Sequence, residues 1–211
     1  LSVSGSGAGP YVLTFDKALS DGVLQLSISN VSDAIGNKSE LTQLNYTVDA
    51  TSPVVSGSTP NNDAAVSSDV NLSFTFSEVV TNASSVANYT LSGPGAENVS
   101  MSGVNGEGAG PYTLVVEGSF VTGNVTATIS NITDEASNQI EENFELNFTV
   151  DTDVPGVATS YPANQQKINS IEPTIILSFT EAVNESVADQ AGARNPSNYV
   201  FSGSGSNGVT V

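Results

Sequence analysis

The chain repeats itself about every hundred residues, and this periodicity constrains its fold more than any other feature. Gly7–Tyr11 (GAGPY) returns letter for letter as Gly108–Tyr112. Further matched strings keep the same order along the chain: Ile28–Asn30 with Ile129–Asn131, Tyr46–Asp49 with Phe148–Asp151, Phe76–Glu78 with Phe179–Glu181, and Asn88–Tyr89 with Asn198–Tyr199. A unit of this length is typical of an immunoglobulin-sized β-sandwich and not of a short solenoid repeat.

Two proline-ended linkers, Asp49–Pro53 and Asp151–Pro155, mark where successive units meet. Each follows an alternating segment, and its proline resists continuation of a strand. We therefore predict the second half of one domain in residues 1–49, a complete domain in 50–151 and the first half of a further domain in 152–211. The halves are either parts of a longer tandem array or partners that pair between neighbouring chains by β-strand complementation, which would form a fibre.

Alternating apolar residues and β-branched content predict strands throughout and no sustained helix. In the complete domain we expect seven strands: Val54–Gly57, Val70–Phe76, Tyr89–Ser92, Val99–Val104, Tyr112–Val116, Val125–Ile129 and Phe144–Val150. Three alternating sets should point inward: Leu72, Phe74 and Phe76; Val125, Ala127 and Ile129; Phe144, Leu146 and Phe148. If the register slips by one residue, the neighbours of the last two sets point inward instead. Seven short strands separated by turn residues predict an all-β fold made of tandem antiparallel immunoglobulin-like sandwiches.

Composition excludes several kinds of function. The 211 residues contain 22 Asp and Glu but only 4 Lys and Arg, for a net charge of −18, so no basic groove for nucleic acid is expected. His and Cys are absent, which removes Ser-His-Asp and Cys-His triads, ordinary zinc sites and disulfides. No apolar run reaches the ~18 residues that a membrane span needs. The paired acids Glu141 and Glu142 adjoin no aromatic cleft, so we predict no enzyme.

The ordered motifs of this chain resemble bacterial Ig-like repeats. They are the linker Val48–Pro53, the F-S-E string Phe76–Val79, Asn88–Tyr89, Pro111–Tyr112 and the loop Ile129–Asn138, each with its copy. Such repeats occur in surface-layer proteins, large adhesins and other cell-envelope proteins. The resemblance implies a structural protein at the cell surface or outside the cell, in a surface layer, sheath, filament or adhesin stalk. An adhesin tip or carbohydrate-binding module is the alternative, which the lack of Trp disfavours.

One detail departs from the family pattern. The loop that often reads D-x-x-G-N has Gly36 in the first copy but Ser137 in the second. The left-handed residue that the glycine would provide is therefore in question at Ser137.

Chain direction in a sandwich predicts an acidic cluster at each junction between domains. Strand two should end near Glu78, strand six should deliver Asp134 and Asn138 to the same end, and the linker brings Asp49 there. Clustered carboxylates repel unless a cation holds them, and oxygen ligands suit Ca²⁺. The remaining predicted ligands belong to the equivalent positions of the other copies: Asp151, Asp153 and Glu181 at the next junction, and Asp33 in the first half-domain. Alternatively, these acids are solvated loop residues, and Asp33 and Asp134 cap turns.

Eleven N-x-[ST] sequons predict N-glycans on a surface protein. They begin at Asn30, Asn37, Asn45, Asn71, Asn82, Asn88, Asn98, Asn124, Asn131, Asn147 and Asn184. The alternative is that a chain rich in Asn, Ser and Thr contains them by composition, with the repeats counting some twice. The expected partners are the neighbouring repeats or further copies of the chain, and neither nucleic acid nor a membrane.

Overall fold

The computed structural model describes residues 1–169, 174–203 and 206. The chain forms two compact units, Leu1–Thr152 and Asp153–Val211. Within the first unit, a short segment made of four strands precedes a complete sandwich.

The complete sandwich has two four-stranded sheets. One contains β5 (Val55–Thr59), β7 (Ser73–Phe76), β10 (Tyr112–Gly118) and β9 (Val99–Asn105), in that order. The other contains β6 (Ala64–Val66), β12 (Phe144–Val150), β11 (Gly123–Ile129) and β8 (Tyr89–Ser92). This is the strand order of an immunoglobulin sandwich, with its first strand divided between the sheets.

The core lies between these sheets. All the buried hydrophobic residues of the described chain fall between Leu72 and Val150. The three sets predicted to point inward do so, because period-two alternation puts every second side chain on one face. Only Phe144 among them stays partly exposed, and it still packs edge-on against Phe74 with ring centroids 6.2 Å apart.

One strand of the sandwich was not expected. Ala64–Val66 pairs in parallel with Phe148–Val150, so one pairing of the otherwise antiparallel fold is parallel. Three residues, two of them Ala, give no readable alternation, which is why the sequence did not reveal this strand. The second predicted strand is also shorter than expected and begins at Ser73.

The segment before the sandwich consists of two hairpins. They are β1 (Ser2–Ser4) with β2 (Val12–Thr14), and β3 (Gly22–Ile28) with β4 (Thr42–Val48). The pairing of β3 with β4 runs from Gly22 opposite Val48 to Ile28 opposite Thr42. β11 and β12 pair in the same register, from Gly123 opposite Val150 to Ile129 opposite Phe144.

The second unit holds β13 (Val157–Tyr161) and β14 (Ile176–Phe179), which pair with each other. Their register, with Val157 opposite Phe179 and an irregularity before Thr159, repeats that of β5 and β7. Three single-turn 3-10 helices complete the described structure: Val86–Asn88, Pro94–Ala96 and Pro196–Asn198. None of the helices in the described ranges has the length and apolar character that crossing a bilayer requires.

Candidate metal centre

Three carboxylates from distant parts of the chain meet at one end of the sandwich. Asp49 follows β4, Glu78 follows β7, and Asp134 lies in the loop after β11. One oxygen of each lies within 4.8 Å of one oxygen of each of the others. The loop positions are fixed by the backbone, because Val80 forms an isolated bridge with Asp134 and the Thr81 N–H donates to the Thr133 carbonyl at 2.9 Å.

Glu78 is the electrostatically strained member of this cluster. Partial burial raises its pKa, and the charges of Asp49, Asp134 and Asp21 raise it further. Within the described residues, no hydrogen-bond donor or cation neutralises its carboxylate. The carboxylate of Glu78 is therefore held close to other negative charges without a partner among the described side chains.

Asp134 is already engaged in a tight loop. Its side chain is 3% exposed, and burial alone would raise its pKa. Hydrogen bonds to the carboxylate outweigh burial and lower the pKa: the Asn138 backbone N–H donates to Oδ1 and the Asn138 Nδ2 to Oδ2, both at 2.8 Å. These bonds make Asp134 a loop-capping residue, as the alternative interpretation of the sequence had it, and still leave lone pairs on both oxygens.

Asn138 also connects this loop to the linker, since its Nδ2 donates to the Asp49 carbonyl oxygen at 3.1 Å. Ser137 precedes it with φ +74°, so the left-handed conformation survives the loss of glycine; Gly36 has φ +94° in the first copy. The backbone N–H of Ser137 donates to the Asp134 carbonyl oxygen, and this loop geometry holds the serine in place.

Asp21 is a residue that the sequence analysis missed. Its carboxylate accepts from the Ala50 N–H at 2.7 Å and from the Thr51 hydroxyl, so that it fixes the linker beside the cluster. These hydrogen bonds lower the pKa of Asp21, with the Thr51 hydroxyl the main cause. The equivalent position in the next repeat is Thr122, whose hydroxyl forms the corresponding hydrogen bonds with Thr152. Because Thr122 is not acidic, comparison of the repeats did not identify Asp21 as part of an acidic cluster.

The other predicted ligands are not gathered into a cluster within one unit. Asp33 repeats the capped loop of Asp134: Asn37 donates to it through N and Nδ2 at 2.9 and 2.8 Å, and these bonds lower its pKa. Asp151 belongs to the first unit, whereas Asp153 and Glu181 belong to the second. Their joint site remains a prediction.

The sequons differ in accessibility. Nine of the asparagines are exposed, Asn82 is half-buried and Asn88 is buried. The Asn88 Nδ2, to which a glycan would attach, donates to the Asn82 carbonyl oxygen at 3.0 Å. Asn88 therefore has a structural role in the folded domain.

Strand order, core and register define the complete domain as an immunoglobulin-like β-sandwich. The family model for a bacterial Ig-like domain matches residues 49–150, nearly half of the chain. The match confirms, for that segment, the resemblance of its motifs to bacterial Ig-like domains.

Two solved structures are similar to the chain. The crystal structure of the N-terminal part of the bacterial S-layer protein SbsC shares 21% identity over 53% of this chain and 26% of that one, with a TM-score of 0.37. A structure of domains 1–6 of the surface layer protein SbsC shares 20% identity over 58% of this chain and 16% of that one, also with a TM-score of 0.37. The match thus covers about a quarter or less of those chains, and TM-scores this low support no functional comparison. No curated protein shows significant sequence similarity to the chain.

Proposed function

We propose that this protein is a non-catalytic structural component of a bacterial cell surface, in which Ig-like sandwiches are joined end to end. The observation that carries the proposal is the tandem architecture. A complete sandwich is preceded by strands that reproduce β11 and β12, and the second unit reproduces β5 and β7. A chain built from one repeated domain supplies length and stiffness, which a structural layer, filament or stalk requires.

The location and the structural role are tested together on the native host. Antibodies against the complete domain should label intact cells as strongly as permeabilised ones, and electron micrographs should show the label on a layer, fibre or stalk. Label confined to permeabilised cells would contradict the proposal. Specific binding on a glycan array would favour a carbohydrate-binding module instead.

We further propose that Ca²⁺ binds to Asp49, Glu78 and Asp134 and stiffens the junction of the first segment with the sandwich. The donor set fits this ion, because the three residues provide carboxylate oxygens from three separate elements, and carbonyl groups or water complete six to eight ligands. A divalent cation would also remove the repulsion that raises the pKa of Glu78. Asp33, Asp151, Asp153 and Glu181 would serve in the same way at the equivalent junctions.

Thermal unfolding with and without chelator tests the calcium site. Extracellular calcium modules bind with a dissociation constant on the order of 0.1–1 mM. At about 10 mM calcium, such binding adds roughly 1.4–2.7 kcal/mol to the free energy of unfolding, which raises the Tm of a hundred-residue domain by several degrees.

The substitution Glu78→Gln should abolish this rise in Tm, because it removes one ligand and one charge. Glu117→Gln, in an exposed position on β10, is the matched control and should keep the full rise. An equal response of wild type and both variants to calcium would contradict binding at this cluster.

N-glycans on the exposed sequons are a separate part of the proposal. The nine exposed asparagines lie in the first segment, in the sandwich and in the second unit, where attached sugars would shield the chain from proteases. Asn88 is excluded by its burial.

A further inference from the structure

The edge strand β9 contains one residue more than the stretch of β10 that it faces. Met101 lies opposite Val116 and Gly103 lies opposite Val115, so Ser102 has no residue opposite it. This is a β-bulge, which bends a strand and increases its local twist. β9 is an edge of its sheet, because β10 is the only strand that pairs with it in the described chain.

The other edge of the same sheet, β5, has the same feature. Val55 lies opposite Phe76 and Gly57 lies opposite Thr75, which leaves Ser56 as the extra residue. Both extra serines are exposed, so neither contributes a side chain to the core. The bulges therefore have no evident role in packing the interior of the sandwich.

The irregularity of β5 recurs in the next copy of the repeat. β13 pairs with β14 with one extra residue, Ala158, between Val157 and Thr159. Ala158 is the equivalent of Ser56, so the side chain differs between the copies while the extra residue is kept. What the copies share is the geometry of the bulge and not a hydroxyl group.

The bulges lie on the two edges that are long enough to pair with another chain. β5 has five residues and β9 has seven, whereas the edges of the other sheet, β6 and β8, have three and four. A very short edge strand offers few hydrogen bonds to a partner, so it needs no further protection.

No charge protects the two long edges. Proteins often place lysine, proline or an inward-pointing charge on an edge strand to prevent pairing with another chain. β5 reads VSGST and β9 reads VSMSGVN, and neither contains a charged residue or proline. Residues 50–151 contain no Lys or Arg at all. Without its bulge, β9 would be a straight, uncharged edge, which is a template for pairing.

We propose that the bulges at Ser56 and Ser102 prevent neighbouring Ig-like domains from pairing edge to edge. Tandem repeats have related edges and are held at high local concentration, and misassembly between domains is a characteristic failure of repeat proteins. The inference rests on the tandem structural role proposed above and goes beyond it, because it assigns to two residues the separation of successive domains.

Deletion of Ser102 removes one bulge and leaves the core contacts in place. Gly103 and Met101 become consecutive and keep Val115 and Val116 opposite them, so the alternation of β9 becomes regular. We expect the variant to retain the sandwich and to self-associate with a constant at least about tenfold above that of wild type, as measured by sedimentation. Ser102→Ala, which keeps the extra residue, is the matched control and should sediment like wild type.

Two further measurements locate the contact. Hydrogen exchange should show that Val99–Asn105 becomes protected as the concentration of the deletion variant rises, because the outer N–H groups of β9 then pair with a second copy. Addition of Ser100→Lys to the deletion variant should return association to the wild-type level, because Ser100 is exposed and a charge on an edge strand opposes pairing.

Deletion of Ser56 repeats the test on β5, independently of β9. A deletion variant that melts cooperatively and associates no more than wild type would overturn the proposal, as would association that Ser100→Lys leaves intact. If both deletions unfold the complete domain, the bulges serve folding and the proposal is wrong. All these outcomes leave the structural role itself untouched, since labelling of native cells tests that role separately.

Discussion

At the scale of single residues, the loop around Asp134 shows how hydrogen bonding outweighs burial. The carboxylate is almost inaccessible, yet four nearby donors keep its pKa low. Glu78, a few ångströms away, has no such donors and its pKa is raised. The pKa values of these two acids are thus shifted in opposite directions, because Asp134 accepts hydrogen bonds from its own loop and Glu78 does not.

This difference predicts an unusual pH dependence of stability in chelator. Since the pKa of folded Glu78 lies above its ordinary 4.5, the folded state takes up a proton first as pH falls from neutrality, and the free energy of unfolding should rise. Below about 3.8 the acids with lowered pKa, Asp21, Asp33 and Asp134, protonate and stability should fall.

The measurement compares melting of wild type and Glu78→Gln between pH 4 and 8. The variant should be the more stable protein at pH 8, and the difference should shrink as pH decreases, because only wild type has a carboxylate facing Asp21, Asp49 and Asp134. A constant difference across this range would contradict a titrating Glu78. Overall acidity affects both proteins nearly equally and cancels in the comparison.

At the scale of strands, equivalent positions of the repeat have the same pairing register but differ in burial. β3 and β4 pair as β11 and β12 do, yet the apolar face of one pair is exposed and that of the other is covered. Pairing of a hairpin is a local property, whereas burial needs the opposite sheet.

A matched pair of substitutions measures this difference. Leu146→Ala should lower the free energy of unfolding of the complete domain by about 2–5 kcal/mol, because it leaves a cavity where a fully buried side chain was packed. Leu44→Ala, at the equivalent position of β4, should cost that domain nothing measurable. Chemical denaturation of the complete domain in each variant gives both values. Equal costs would show that the first segment is packed in solution.

The strands also show what the sequence could predict. Alternation located seven strands of the sandwich and all three inward-facing sets, since period two is legible wherever a strand has at least four residues. The strand Ala64–Val66 was not predicted because it has only three residues with small side chains, and because it is defined by its pairing with β12. The convergence of Asp49, Glu78 and Asp134 could be predicted from the direction of the strands alone. Asp21 was not predicted, because the equivalent residue in the next repeat is Thr122.

At the scale of the whole molecule, the surface is acidic and rich in exposed sequons. If the host modifies them, the mass of the native protein should fall on enzymatic removal of N-glycans. Peptide mapping should find no sugar on Asn88, whose amide is buried, even where Asn131 is modified. An unmodified mass would leave the sequons as a product of composition, and sugar on Asn88 would contradict its structural role.

The parallel pairing of Ala64–Val66 with Phe148–Val150 has a mechanical consequence. The chain enters the sandwich at one end and leaves β12 at the other, so tension along a tandem array pulls these two strands in opposite directions along their length. Because this force acts along the strands, the hydrogen bonds between them bear the load together. In a hairpin pulled apart from its open end, they would instead break one after another. We therefore expect the three-residue strand Ala64–Val66, at the sheet margin, to act as a mechanical clamp of the complete domain under such tension.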